Sequence, residues 1–231
     1  MGHIHIQWNA LIMEMLGVFA LNYIGGTAIL AGDKNDVAGP LAHGLALGIF
    51  IWIGASTSGA NYNPAVTLAL MLTKNLDCLN GLLYMCAQVI GSFLAYPLVM
   101  LADRSGDKLN AMATTYPHVL LAVVDDQWWW KANLLEFFAT FFLVFIVFAT
   151  AVDKRASPAV YGLAIGCTVT MSAFGIGNLT GAALNPTRWL GPATCSMTDD
   201  YWKGLCVYIS GPLLGGLAAG PLYQHVLLEK N

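Results

Sequence analysis

The stretch Ser58-Gly59-Ala60-Asn61-Tyr62-Asn63-Pro64-Ala65-Val66-Thr67 decides the fold, because it returns 122 positions later as Thr180-Gly181-Ala182-Ala183-Leu184-Asn185-Pro186-Thr187-Arg188. The same offset relates Glu14 to Glu136, and it overlays Leu41-Ala42-His43-Gly44 on Leu163-Ala164-Ile165-Gly166. Matches at one register over this length identify a duplicated unit. In each copy Asn precedes Pro, a pair suited to a helix start, since Asn caps well and proline gives up an N–H that the first turn cannot use. Helix starts are therefore predicted at 63 and 185.

The composition around the repeat is that of a membrane protein. Of 231 residues 57% are hydrophobic and 10% charged, against about 25% charged in an ordinary soluble domain. Apolar runs near 8–30, 38–57, 79–101, 131–152, 158–177 and 202–228 each approach the roughly 20 residues that cross a bilayer. Little remains for a separate soluble domain, and the first 30 residues have no basic segment followed by a small-residue cleavage site, so they are expected to be a retained first helix. The expected organisation is one channel domain over 1–231, with repeats at about 8–101 and 131–228 joined by a long loop, 102–130. A net charge of −3 with no basic stripe excludes nucleic acid as a partner. Five cysteines form no CxxC pair, which argues against a disulfide framework or a zinc site; they are expected to be small core residues, and no metal or cofactor is expected.

Three spans per unit make the second unit enter the membrane from the opposite side, an inverted repeat. After the second and fifth spans, the apolar stretches Ala65 to Thr73 and Thr187 to Thr194 are too short to cross, and each reads as a half-helix. Non-helical backbone at membrane depth is tolerated only when buried in protein or lining a water-filled cavity. Two such turns entering from opposite faces imply a pore. The fold class is an all-α membrane protein with six transmembrane helices and two re-entrant half-helices. Arg188 is expected in the pore wall, where its charge meets water. Glu14 and Glu136 are carboxylates in apolar helices whose cost demands hydrogen-bond donors; they are either braces or a substrate or proton relay.

At Ser58–Thr67, Thr180–Arg188 and Glu14-Met15-Leu16-Gly17 the chain resembles the aquaporin, or major intrinsic protein, family over nearly its whole length. The resemblance implies a passive channel for water that excludes ions and protons. Its central site would be Asn63, Pro64 and Ala65 with Asn185, Pro186 and Thr187, the last standing where the family usually has Ala. Glu14 and Glu136 would brace the re-entrant loops. Carried over residue by residue, the outer filter reads His43, Ala173, Ala182 and Arg188. This set resembles the plant tonoplast intrinsic proteins and their ammonia-permeable relatives, with His118 of the third loop as a candidate fifth member. Ala173 in place of a larger residue implies a wider constriction, open to ammonia, urea or glycerol as well as water.

Two other classes remain open from the residues alone: a secondary transporter with Glu14 and Glu136 as its coupling site, and a structural junction protein of low conductance. An enzyme is not expected, because no motif joins nucleophile, base and orienting group. The expected partners are membrane lipid, water, small neutral solutes and further copies of the chain in a homotetramer. Lys and Arg are nearly balanced between the two sets of loops. The termini are expected on the cytoplasmic side, of either a plasma membrane or an intracellular vacuole-type membrane.

Overall fold

The computed structural model describes residues 6–32, 37–102, 129–157, 159–196 and 204–228. His118 and most of the third loop lie outside the described residues, as do Trp128 and the histidines of the N-terminal tail.

Among the described residues eight helical elements follow one another: α1 (Trp8–Ala31), α2 (Ala38–Gly54), α3 (Pro64–Leu72), α4 (Cys78–Leu101), α5 (Trp129–Val152), α6 (Tyr161–Thr180), α7 (Pro186–Ser196) and α8 (Cys206–Leu227). Five of them have 20 to 24 residues and are long and apolar enough to cross a membrane. The remaining predicted span, α2, is shorter than expected at 17 residues, which at 1.5 Å per residue gives about 26 Å. It is followed by a further turn at 55–58. The half-helices start where Asn-Pro placed them, at Pro64 and Pro186.

The packing of the two halves corresponds element by element. In the first half α1 lies against α2 and α4; in the second α5 lies against α6 and α8. The short helices cross over, α3 against α8 and α7 against α4. Each half-helix is thus seated on the opposite half, through Ser92 Oγ to the Thr187 carbonyl and Tyr96 Oη to the Arg188 carbonyl on one side.

The halves meet along α2 and α6, and glycine decides how closely. A Cβ on Gly44 would stand 2.5 Å from the Gly166 carbonyl oxygen, and one on Gly166 would stand 2.3 Å from the Gly44 carbonyl oxygen. These two positions are themselves 122 apart, so the contact is symmetric. Small residues let helix backbones approach where lipid supplies no hydrophobic drive for association.

The outward faces are apolar too. Ile49, Trp52 and Ile53 of α2, Phe138 and Phe142 of α5, and Met171 and Phe174 of α6 are all exposed. Cys78, Cys86, Cys167 and Cys206 are exposed as well, and Cys195 is half-buried, which corrects the expectation that the cysteines fill the core. In a membrane protein an apolar residue is as well placed outside as inside, so polarity does not separate the two. Trp129 and Trp130 are exposed at the start of α5. Beyond α5, Arg155 pairs with Asp153 at 2.7 Å, and Tyr223 of α8 donates to the same carboxylate at 2.9 Å. The Arg155 hydrogen bonds hold the Asp153 carboxyl well below the usual carboxylate range.

Gly166→Ala is expected to destabilise the fold by ~1–3 kcal/mol through overpacking against backbone, read as a lower thermal midpoint in detergent. Gly175→Ala, where an added Cβ meets nothing within 4 Å, is expected to leave the midpoint unchanged or slightly raised.

Candidate functional site

Between α2 and α3, and again between α6 and α7, the chain leaves the helical conformation inside the molecule. Gly59, Ala60 and Tyr62 have φ of 85°, 56° and 52°; Gly181, Ala182 and Leu184 have 80°, 46° and 53°. Left-handed backbone at a residue with a Cβ costs about 1–2 kcal/mol, and four such residues persist here. They are held by the two buried carboxylates. Glu14 accepts from Ser58 Oγ (2.7 Å), Asn61 N (2.9 Å), Tyr62 N (2.7 Å) and Gln88 Nε2 (2.8 Å). Glu136 accepts from Thr180 Oγ1 (2.7 Å), Ala183 N (2.9 Å) and Leu184 N (2.8 Å). The three loop bonds correspond residue for residue at the 122 offset, while the Gln88 bond belongs to Glu14 alone. With the N–H groups turned to the carboxylates, the loop carbonyls are free to face other partners.

Asn63 and Asn185 take up two of those carbonyls. Asn63 Nδ2 donates to Leu184 O at 2.9 Å, and Asn185 Nδ2 donates to Tyr62 O at 2.8 Å, so each side chain is tied to the opposite loop. Each Oδ1 caps its own half-helix, accepting from Ala65 N at 2.9 Å and Thr187 N at 3.0 Å. These bonds fix both amide orientations and leave one N–H on each Nδ2. Thr187, where Ala was the expected residue, is fully buried, and its hydroxyl donates to Asn185 Oδ1 at 2.7 Å. The substitution adds a tether to the asparagine without disturbing the junction.

Toward one end of the molecule, Arg188 meets His43. Arg188 Nε donates to His43 Nε2 at 2.9 Å, while His43 Nδ1 lies 2.8 Å from the Gly39 carbonyl. A carbonyl can only accept, so Nδ1 carries the proton and Nε2 is the acceptor: His43 is the neutral imidazole. Arg188 Nη1 donates to Gly181 O (2.6 Å) and Ala182 O (3.0 Å). Its guanidinium is thus held by two carbonyl dipoles and the imidazole.

A cavity of about 320 Å³ runs from His43 and Arg188 past Asn63 and Asn185 to Asn75 and Tyr161. Its wall uses both halves at equivalent positions: Leu21 with Leu143, His43 with Ile165, and Leu47 with Val169. Of the residues expected together, His43, Ala182 and Arg188 are joined by hydrogen bonds. Ala173 is part-buried against the same core but does not line this cavity. Gln88 and Tyr62 belong to the same network without being among the expected site residues. Gln88 joins Glu14 to Thr67, donating to Thr67 Oγ1 at 2.9 Å; a Gln inside an apolar span was signal enough to find it. Tyr62 is fully buried in a slot where a Cβ on Gly17 or Gly54 would collide with its ring or hydroxyl. Nothing in the sequence pairs it with those two glycines.

The model of the family described as major intrinsic protein matches residues 3–223. Aquaporin TIP1-2 of Musa acuminata is 37% identical over 95% of this chain and 87% of its own length. Aquaporin NIP2-1 of Zea mays is 30% identical over 95% of this chain and 71% of its own, and aquaporin AqpM of Methanothermobacter thermautotrophicus is 31% identical over 88% and 82%. Among solved structures, an aquaglyceroporin from Plasmodium falciparum superposes with a TM-score of 0.71 at 23% identity, covering 95% of this chain and 96% of that one; this likeness is one of fold.

Glu136→Ala would leave the Ala183 and Leu184 backbone N–H groups buried without an acceptor, each at about 1–3 kcal/mol. Folded protein recovered in detergent is expected to collapse, with Glu136→Gln intermediate because one carbonyl acceptor survives. Undiminished recovery of the Ala variant would remove the bracing role. Thr187→Ala is expected to lower stability by only about 1 kcal/mol.

Proposed function

The chain belongs to the major intrinsic protein family, and from that premise we propose that its cavity is a passive pore for water and small neutral solutes, with Asn63 and Asn185 at its centre; His43 and Arg188 of its wall form the outer filter with Ala182, whose carbonyl holds Arg188, and Ala173, packed on the adjoining core. The observation that carries this is the reciprocal bonding of Asn63 and Asn185 to each other's loops. It leaves one N–H of each amide for a passing water oxygen. A water held by oxygen toward two donors presents its own hydrogens outward and cannot relay a proton through that point. The N-terminal ends of α3 and α7 add positive potential at the same place, which repels cations and hydrated protons together.

The outer end adds polarity and width. Arg188 supplies a second positive barrier, and the neutral His43 holds the guanidinium by accepting from Nε. Ala173 contributes no bulk, which favours solutes larger than water. The roles of Glu14 and Glu136 are structural in this reading, since their oxygens are taken by loop donors. A coupling site would need carboxylates able to bind and release an ion. We further propose that repeats at about 8–101 and 131–228 form one channel domain, that both termini face the cytoplasm, and that the chain assembles as a homotetramer with one pore per subunit; a mass measurement on the detergent complex reads the last directly.

Stopped-flow light scattering on proteoliposomes is expected to give water flux together with urea or glycerol flux above that of empty vesicles. Ala173→His is expected to lower the solute fluxes at least several-fold while water continues to pass. If the unaltered protein conducts water but excludes urea, glycerol and ammonia, the broad filter is overturned.

A further inference from the structure

Gly25 lies on α1, outside every motif of the sequence, yet it shapes the filter. A Cβ built on Gly25 would stand 2.2 Å from His43 Nε2, 2.3 Å from Cδ2 and 2.4 Å from Cε1. The edge of the imidazole therefore rests on bare backbone. Its neighbour Gly26 does a different job, since a Cβ there would meet Val99 of α4 at 3.1 Å, a tight helix contact. Only Gly25 faces the filter.

The ring in this cradle is held at both nitrogens, Nδ1 by the Gly39 carbonyl and Nε2 by Arg188 Nε, and the side chain is only 3% exposed. His43 is thus drawn back into the wall. In the second half, the equivalent positions carry Val147 against Ile165, so the glycine–histidine pair is a joint departure from the repeat. The atom that a Cβ at 25 would strike first is the one that accepts from Arg188.

We propose that Gly25 is a specificity-determining positioning residue: its missing side chain lets His43 withdraw from the lumen and lock Arg188 against the wall, and this sets the width of the filter. A methyl group at position 25 requires the ring to move by more than 1 Å to reach ordinary contact, since contacts shorter than 3.0 Å are not tolerated. Backbone of α1 blocks one direction, and the displaced ring moves into the lumen, taking the acceptor from Arg188 Nε. The proposal rests on the reading of His43 and Arg188 as the filter.

The test is the ratio of urea to water permeability in proteoliposomes, for the unaltered protein, Gly25→Ala, His43→Ala and the double variant. Gly25→Ala is expected to lower the ratio at least about fivefold, the effect of modest overpacking. The double variant is expected to match His43→Ala, because removing the imidazole removes what the methyl strikes. If Gly25→Ala fails to fold, recovery of folded protein in the double variant carries the same expectation. An unchanged ratio in Gly25→Ala, a Gly25→Ala effect that persists without the imidazole, or a double variant that remains unfolded overturns the proposal. If His43→Ala alone leaves the ratio unchanged, the filter reading is what has failed.

Discussion

Everything in this molecule depends on two carboxylates that supply acceptors to backbone with nowhere else to turn. These N–H groups are turned into the protein, and a buried N–H left without an acceptor costs about 1–3 kcal/mol. Glu14 and Glu136 take the N–H groups of Asn61 and Tyr62, and of Ala183 and Leu184. This offsets the left-handed conformations at Ala60, Tyr62, Ala182 and Leu184. Because the N–H groups turn one way, the carbonyls turn the other. Tyr62 O and Leu184 O then hold the opposite asparagines, and Gly181 O and Ala182 O hold Arg188.

The duplication makes the backbone of the two ends alike, and side chains make them different. At one end His43 and Arg188 form a charged, hydrogen-bonded pair. Their counterparts in the repeat are Ile165 and Val66, both of which line the same cavity. The guanidinium in the cavity wall thus stands at one end, while the asparagines and the N-termini of α3 and α7 stand at the centre. Close packing along α2 and α6 allows this: Gly44 and Gly166 bring the halves into backbone contact.

The sequence by itself determined the fold class, the two re-entrant turns and their common origin. Asn-Pro is a local signal, obeyed within one residue at Pro64 and Pro186, and an offset of 122 is arithmetic that needs no structure. Glu14, Glu136 and Arg188 were legible for a related reason: a charge in an apolar span is conspicuous, and its cost implies a partner. Glycines and apolar residues carry no such mark. Apolar residues occupy the outward as well as the inward faces of the spans, so hydrophobicity alone does not separate the lipid face from the core, and four of the cysteines expected inside are exposed. Only the tertiary structure decided that Tyr62 fits between Gly17 and Gly54, that Gln88 joins Glu14 to Thr67, and that Gly25 makes room for His43. Each of these is a contact between helices distant in sequence, fixed by the shape of both surfaces at once.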